Sequence, residues 1–247
     1  MISAGVFTTV LEHPGSWVCR AIASAGLRRA LIGLAMGGTA AGLIYSPWGR
    51  RSGAHMNPAV TVTFLRLGKI PLGDAAFYIL FQSLGGVAGV LITAFFLGSA
   101  FTAPPVHYVV TVPSSGRYLG AFSGELGIAL LMMTMILIVS NTPAMARLTG
   151  LFSGILIWGF VTCEAPLSGF GMNPARTFAS ALPSGTWTAF WIYLVAPPLG
   201  MLLAAEAVRA WRGAESIRCC KLHHRSARPC IFCGQSNQPT GPATATS

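Results

Sequence analysis

Apolar stretches about 20 residues long recur along the chain, separated by short polar connectors. That length is what an α-helix needs to cross the hydrocarbon core of a bilayer. Five stretches reach it, roughly residues 29–46, 74–98, 121–140, 148–165 and 186–211. Residues 1–11 (MISAGVFTTVL) are equally apolar but cover half that length, and Glu12-His13-Pro14-Gly15-Ser16 ends them as a turn. Residues 1–9 hold no Lys or Arg, which a secretory signal would need. This stretch therefore reads as the far half of a first helix whose beginning is absent. The spans are rich in glycine, with Gly33, Gly37, Gly38 and Gly42 in one and Gly85, Gly86 and Gly89 in another. Small residues at four-residue spacing let membrane helices approach closely, a packing signal that names no function.

A short motif repeats within this pattern. HMNPAVTV contains Asn57 and GMNPARTF contains Asn173, 116 positions later. Each copy follows a glycine-rich apolar span and a short polar segment, and each precedes another long span. The following spans also echo each other, FYILFQSLGG at residues 77–86 and WIYLVAPPLG at residues 191–200. The order span, span, Met-Asn-Pro-Ala, span thus occurs twice, over residues 1–98 and 118–211. Three crossings per repeat is an odd number, so the repeats have opposite orientation. Carriers and channels built this way place their site near the midplane, at the repeat interface. The predicted fold is an all-α membrane protein, with a channel domain over residues 1–211. It has six transmembrane helices, the first truncated, plus two re-entrant half-helices.

Asn is a favoured helix N-cap and Pro is favoured at the first helical position. Asn57-Pro58-Ala59 and Asn173-Pro174-Ala175 therefore each start a helix. Gly68 stops the first, after roughly 16 Å or half a bilayer, and Pro183 with Gly185 shortens the second. Two half-helices entering from opposite sides meet N-terminus to N-terminus. Each end carries roughly +0.5 elementary charge, which repels cations, while the Asn amides offer donors to polar solutes. The segments ahead of each Asn, Gly53-Ala54-His55 and residues 168–171 with Gly169 and Gly171, supply carbonyl acceptors along the same path.

Composition agrees with a lipid solvent. Of 247 residues, 53% are hydrophobic and 9% charged, against about 25% charged in soluble domains, and the mean hydropathy is +0.63. The net charge of +10 does not point to nucleic acid, because no soluble basic face accompanies it. It follows the positive-inside rule instead. With the segment after residues 29–46 placed inside, eleven of the 16 basic residues are internal. Arg20, Arg28, Arg29, Arg117 and Arg176 are external. The C-terminus is then cytoplasmic, in a multi-pass protein of the cell membrane. No Ser, His and acid cluster into a nucleophile motif, so the chain does not read as an enzyme.

Arg176 directly follows the second Asn-Pro-Ala, where the first copy has Val60. An intramembrane Arg marks a functional site by default. Its permanent charge and five donors suit it to binding passing oxygens and excluding cations.

The paired motifs identify a resemblance to the aquaporin, or major intrinsic protein, family. It rests on SGAHMNPAVT at residues 52–61, SGFGMNPART at residues 168–177, the small-residue spans and Glu125 early in the fourth helix. It covers about residues 1–211. The resemblance implies a homotetramer with one pore per subunit and passive permeation of water or small neutral solutes. It implies an outer constriction formed by Arg176 with Gly37, Val161 and Phe170, at family spacing from the two Asn residues. One residue of rotation would bring Met36 or Gly38 to the pore in place of Gly37. Strict water channels of the family carry His at the position of Val161 and an aromatic at that of Gly37. Glycerol channels share the aromatic at Phe170 but commonly have Asp where Thr177 stands. The set thus matches neither subclass and describes a wider, less polar constriction. The resemblance also implies that Glu125 props the second Asn-Pro-Ala segment. An equivalent acid for the first copy falls before Met1, and Glu12 is a poor substitute. His55 is expected in the inner vestibule, or else as a structural histidine.

Residues 212–247 differ in composition, basic at first and then rich in Pro, Ser and Thr. Two readings stand: a largely disordered basic tail at the membrane surface, or a Zn²⁺ site using Cys230, Cys233, His223 and Cys220. The spacing fits no standard finger. No other cofactor is expected. For the whole chain three functions stand: a passive channel, a secondary transporter and a non-conducting scaffold. Glu125 as the single deep acid disfavours coupled transport.

Overall fold

The computed structural model describes residues 1–224 and 230–234. Among them are twelve α-helices. The first repeat runs α1 (Ile2–Glu12), α2 (Trp17–Ala21), α3 (Ala25–Tyr45), α4 (Pro47–Ser52), α5 (Pro58–Arg66) and α6 (Leu72–Leu97). After a short α7 (Ser99–Thr102), the second runs α8 (Tyr118–Ser140), α9 (Thr149–Cys163), α10 (Ala165–Ser168), α11 (Pro174–Ser184) and α12 (Phe190–Arg212). Five helical segments are long and apolar enough to cross a membrane: α3, α6, α8, α12, and α9 with the turn ahead of it as Ala146–Cys163. The sixth, α1, has 11 residues.

Local signals account for the boundaries. Ser24 Oγ accepts the Leu27 N–H at 3.2 Å and starts α3. Ser46 Oγ accepts the Gly49 N–H at 3.0 Å, with Pro47 next to it, and starts α4. The helices α4 and α10 both end on a left-handed glycine, Gly53 at φ 84° and Gly169 at φ 83°. The next residues, Ala54 at φ 60° and Phe170 at φ 56°, are left-handed as well. The same 116-residue offset relates these pairs, so the repeat seen in the sequence is also a repeat in backbone conformation.

Helix pairing follows the inverted repeat. The broadest contacts are between α8 and α12 and between α3 and α9. Each half-helix packs on the last helix of the opposite repeat, α5 on α12 and α11 on α6. Close approach requires glycine at two crossings. A Cβ on Gly37 would sit 2.2 Å from the Gly154 carbonyl oxygen, and one on Gly200 would sit 2.4 Å from that of Leu126. Phe95, Phe96 and Leu119 project fully outward, as lipid-facing residues do. Trp17, Trp48 and Trp211 are exposed near helix ends, where indoles favour the membrane interface.

Part of the tail packs on the bundle among the described residues. Ile217, Cys219, Cys220, Lys221, Leu222 and Cys230 are buried against the bundle. Arg218 N–H donates to Asn141 Oδ1 at 2.9 Å, and Lys221 Nζ donates to the Arg50 carbonyl at 2.9 Å. Apolar side chains at Ile217 and Leu222 give this basic segment something to bury. The expectation for residues 225–229 and 235–247 lies outside the described residues.

Candidate functional site

The two half-helices meet at their N-termini. Asn57 caps α5 by accepting the Ala59 N–H at 2.9 Å. Asn173 caps α11 by accepting the N–H groups of Ala175 and Arg176 at 3.0 and 3.2 Å. Pro58 and Pro174 occupy the first helical positions. The amide nitrogens cross. Asn57 Nδ2 donates to the Met172 carbonyl at 2.8 Å, and Asn173 Nδ2 donates to the Met56 carbonyl at 2.7 Å. Each motif therefore holds the backbone that precedes the other. A primary amide has two N–H donors, so one on each Asn is engaged in this clasp and one is left for a solute.

Glu125, on α8 and fully buried, braces the second motif. Its Oε1 accepts from Ser168 Oγ at 2.5 Å and from Gly171 N–H at 2.6 Å; its Oε2 accepts from Met172 N–H at 2.5 Å. Ser168 Oγ also accepts the Phe170 N–H at 3.0 Å, and Tyr193 donates to the Ser168 carbonyl. The Met172 peptide thus links Glu125 on its N–H side to Asn57 on its carbonyl side. In the first repeat Ser52 Oγ accepts the Ala54 N–H at 3.3 Å, matching Ser168. No carboxylate among the described residues faces His55 or Met56. There Gln82 Nε2 donates to the His55 carbonyl at 2.8 Å and to Thr61 Oγ1 at 3.0 Å. Glu12 instead pairs with Arg28 at 3.1 Å.

Two cavities share part of their lining. The larger, about 590 Å³, is lined by Asn57, Asn173, Val60, His55, Met132 and Ile136, among others. The smaller, about 300 Å³, is lined by Glu12, Arg29, Val161 and Gly169. Met36, Phe170 and Arg176 line both. Arg176 is the third residue of α11, and its buried Nε and Nη1 have no hydrogen-bond partner among the described residues. Ala54, Gly171 and Ala175 line the larger cavity.

The expected constriction needs one correction. Gly37 lines neither cavity, because its missing Cβ lets α3 approach Gly154 on α9. The adjacent Met36 lines both cavities. Spacing alone left a one-residue rotation open; here Gly37 faces Gly154 on α9. The tail also needs correcting. Cys230 and Cys233 converge with Cys219 and His224, where Cys220 and His223 were expected. The Cys220 carbonyl accepts from His55 Nε2 at 2.9 Å, and the His223 ring packs edge-on against Tyr45 at 5.1 Å. Tyr193, Gln82, Leu222 and the side-chain role of Ser168 are additions from the structure. The repeated Ser-Gly five and four residues ahead of each Asn carried the signal for Ser168.

Comparison with known proteins fits this geometry. The sequence profile described as major intrinsic protein matches residues 5–207. Aquaporin TIP4-4 of Zea mays is 36% identical over 158 residues, 62% of this chain and 60% of that protein. Aquaporin NIP1-1 of Arabidopsis thaliana is 35% identical over 166 residues, 66% of this chain and 56% of that protein. Aquaporin AqpM of Methanothermobacter thermautotrophicus is 34% identical over 181 residues, 70% and 73% of the respective chains. The chain spans about three fifths of the length of the plant relatives it matches. The X-ray structure of the aquaglyceroporin from Plasmodium falciparum superposes with a TM-score of 0.68 at 21% identity, covering 84% of this chain and 89% of that one. At that identity the likeness is one of fold. With the profile spanning most of its length, the chain belongs to the major intrinsic protein family.

Proposed function

We propose that the chain is a passive transmembrane channel for water and small neutral, glycerol-like solutes that excludes ions and protons. The observation that carries this reading is the pair of cavities joined at Met36, Phe170 and Arg176, with the crossed Asn57 and Asn173 on the larger one. A solute oxygen entering from the outer side meets the permanent charge of the Arg176 guanidinium, which lines both cavities. The walls opposite, Met36, Val161 and Phe170, are apolar and suit a carbon backbone. At the midplane the second N–H of each Asn donates to the same oxygen. Carbonyls of the left-handed segments before each Asn accept hydrogen bonds along the way.

Cations meet a different field. Two helix N-termini face each other, each worth roughly +0.5 charge, and Arg176 adds a full one in a low-dielectric setting. A water whose single oxygen accepts from both Asn donors has its own O–H groups turned away from them, which interrupts a proton-conducting chain. Channels of this family need no cofactor to conduct. The distribution of basic residues supports a multi-pass cell-membrane protein with its C-terminus in the cytoplasm. By resemblance to the family, the chain assembles as a homotetramer in the bilayer.

Stopped-flow light scattering on proteoliposomes tests the proposal. Fast shrinkage under an impermeant osmolyte, then faster re-swelling with glycerol than in protein-free vesicles, is the expected result. Protein-free rates for both overturn it.

A further inference from the structure

The tail brings three thiols and one imidazole to a point beside the pore. The ligand atoms of Cys219, His224, Cys230 and Cys233 all lie within 4.8 Å of one another. Cys219 Sγ and Cys230 Sγ are 3.7 Å apart, and Cys233 Sγ and His224 Nε2 are 3.5 Å apart. A tetrahedral Zn²⁺ with Zn–S of about 2.3 Å and Zn–N of about 2.0–2.1 Å has S···S edges of about 3.8 Å and S···N edges of about 3.6 Å. The observed separations match both edges. They are far too long for a disulfide at about 2.05 Å. Four protein ligands with no open position describe a structural site, and a sulfur-rich set selects Zn²⁺ over Mg²⁺ or Ca²⁺. The Phe232 N–H donates to Cys230 Sγ at 3.4 Å, a contact that stabilises a thiolate ligand.

The same segment lies over the inner end of the larger cavity. Leu222 lines that cavity, its N–H donates to the Gly53 carbonyl at 3.3 Å, and His55 holds the Cys220 carbonyl. Phe232 packs near Tyr78 at 6.5 Å. Leu222 falls between two converging residues, three positions after Cys219 and two before His224. Closing that short loop on a metal fixes Leu222 where it narrows the mouth.

We propose that Cys219, His224, Cys230 and Cys233 form a Zn²⁺ site that fastens the tail across the inner mouth, so that metal loss opens the pore. The opening rests on the channel reading; the metal site and the fastening do not.

The test uses the full chain, stripped with a chelator in detergent and then titrated with Zn²⁺ or Co²⁺. One metal equivalent per chain is expected, with tetrahedral thiolate–Co²⁺ absorption. Both are lost in Cys219→Ser and Cys230→Ser and kept in Cys163→Ser. Absence of stoichiometric binding, or its survival in Cys219→Ser, overturns the site. Fastening is read separately from labelling of the non-ligand Cys220 by a maleimide, located by peptide mass spectrometry. Zn²⁺ is expected to slow labelling several-fold, and an equal rate with and without metal overturns it. In proteoliposomes, chelation is expected to raise water permeability several-fold. Unchanged permeability in a conducting, metal-depleted chain overturns the opening. Protein-free rates in both metal states sink the channel reading and the opening together, while metal binding and Cys220 protection still judge the site.

Discussion

Glu125→Ala removes the acceptor that joins α8 to the second half-helix. The N–H groups of Gly171 and Met172 donate to this carboxylate at 2.6 and 2.5 Å, and Ser168 at 2.5 Å. The site is fully buried. Each buried donor left unmet costs about 1–3 kcal/mol, so the two amides together lose about 2–6 kcal/mol. At about 2–4 °C per kcal/mol for a chain of this size, the apparent Tm falls on the order of 10 °C. Heating detergent-purified protein and measuring the surviving size-exclusion peak reads this directly. Glu125→Gln keeps an oxygen for Ser168 and Gly171 but turns an N–H toward Met172, so its loss is smaller. Because the Met172 peptide also accepts Asn57 Nδ2, Asn57→Ala and Glu125→Ala are expected to be non-additive, by about 0.5–3 kcal/mol. A wild-type midpoint for Glu125→Ala, or strict additivity with Asn57→Ala, refutes the reasoning.

Other outcomes follow from the shared lining and its neighbours. Gly37→Ala forces a methyl toward the Gly154 carbonyl and lowers stability by about 1–3 kcal/mol, read as a drop in Tm with unchanged relative solute rates. Met36→Ala widens the junction of the two cavities and raises flux of larger polyols relative to water; the solute size series checks it. Arg176→Val removes the charge and two unpartnered donors and raises proton or cation leak, measured with a pH-sensitive dye trapped in vesicles.

The legible part of the fold was set by strong local chemistry. Asn followed by Pro starts a helix in any context, so the two half-helices were evident, and span length gave the crossings. Glu125 was recognisable because a carboxylate in an apolar span requires donors. The site was less legible where two adjacent residues share a helix face. Gly37 and Met36 differ by about 100° of rotation, and only the approach to Gly154 decides which one meets the pore. The tail was hardest. His223 and His224, like Cys219 and Cys220, are neighbours in sequence; His224 and Cys219 join the Cys/His cluster, while the His223 ring packs on Tyr45 and the Cys220 carbonyl meets His55. Composition suggested disorder because the apolar residues there are few, yet Ile217 and Leu222 are enough to seat the segment on an already formed bundle.

The central claim is conduction through the point where Met36, Phe170 and Arg176 meet. Its most direct test is stopped-flow permeability of reconstituted chain with water and glycerol in parallel, beside a Phe170→Trp variant that fills the same junction. Rates well above protein-free vesicles are expected for the native chain, with glycerol flux suppressed more than water flux in the variant. Protein-free rates for the native chain, or a variant that conducts both solutes as the native chain does, would contradict it.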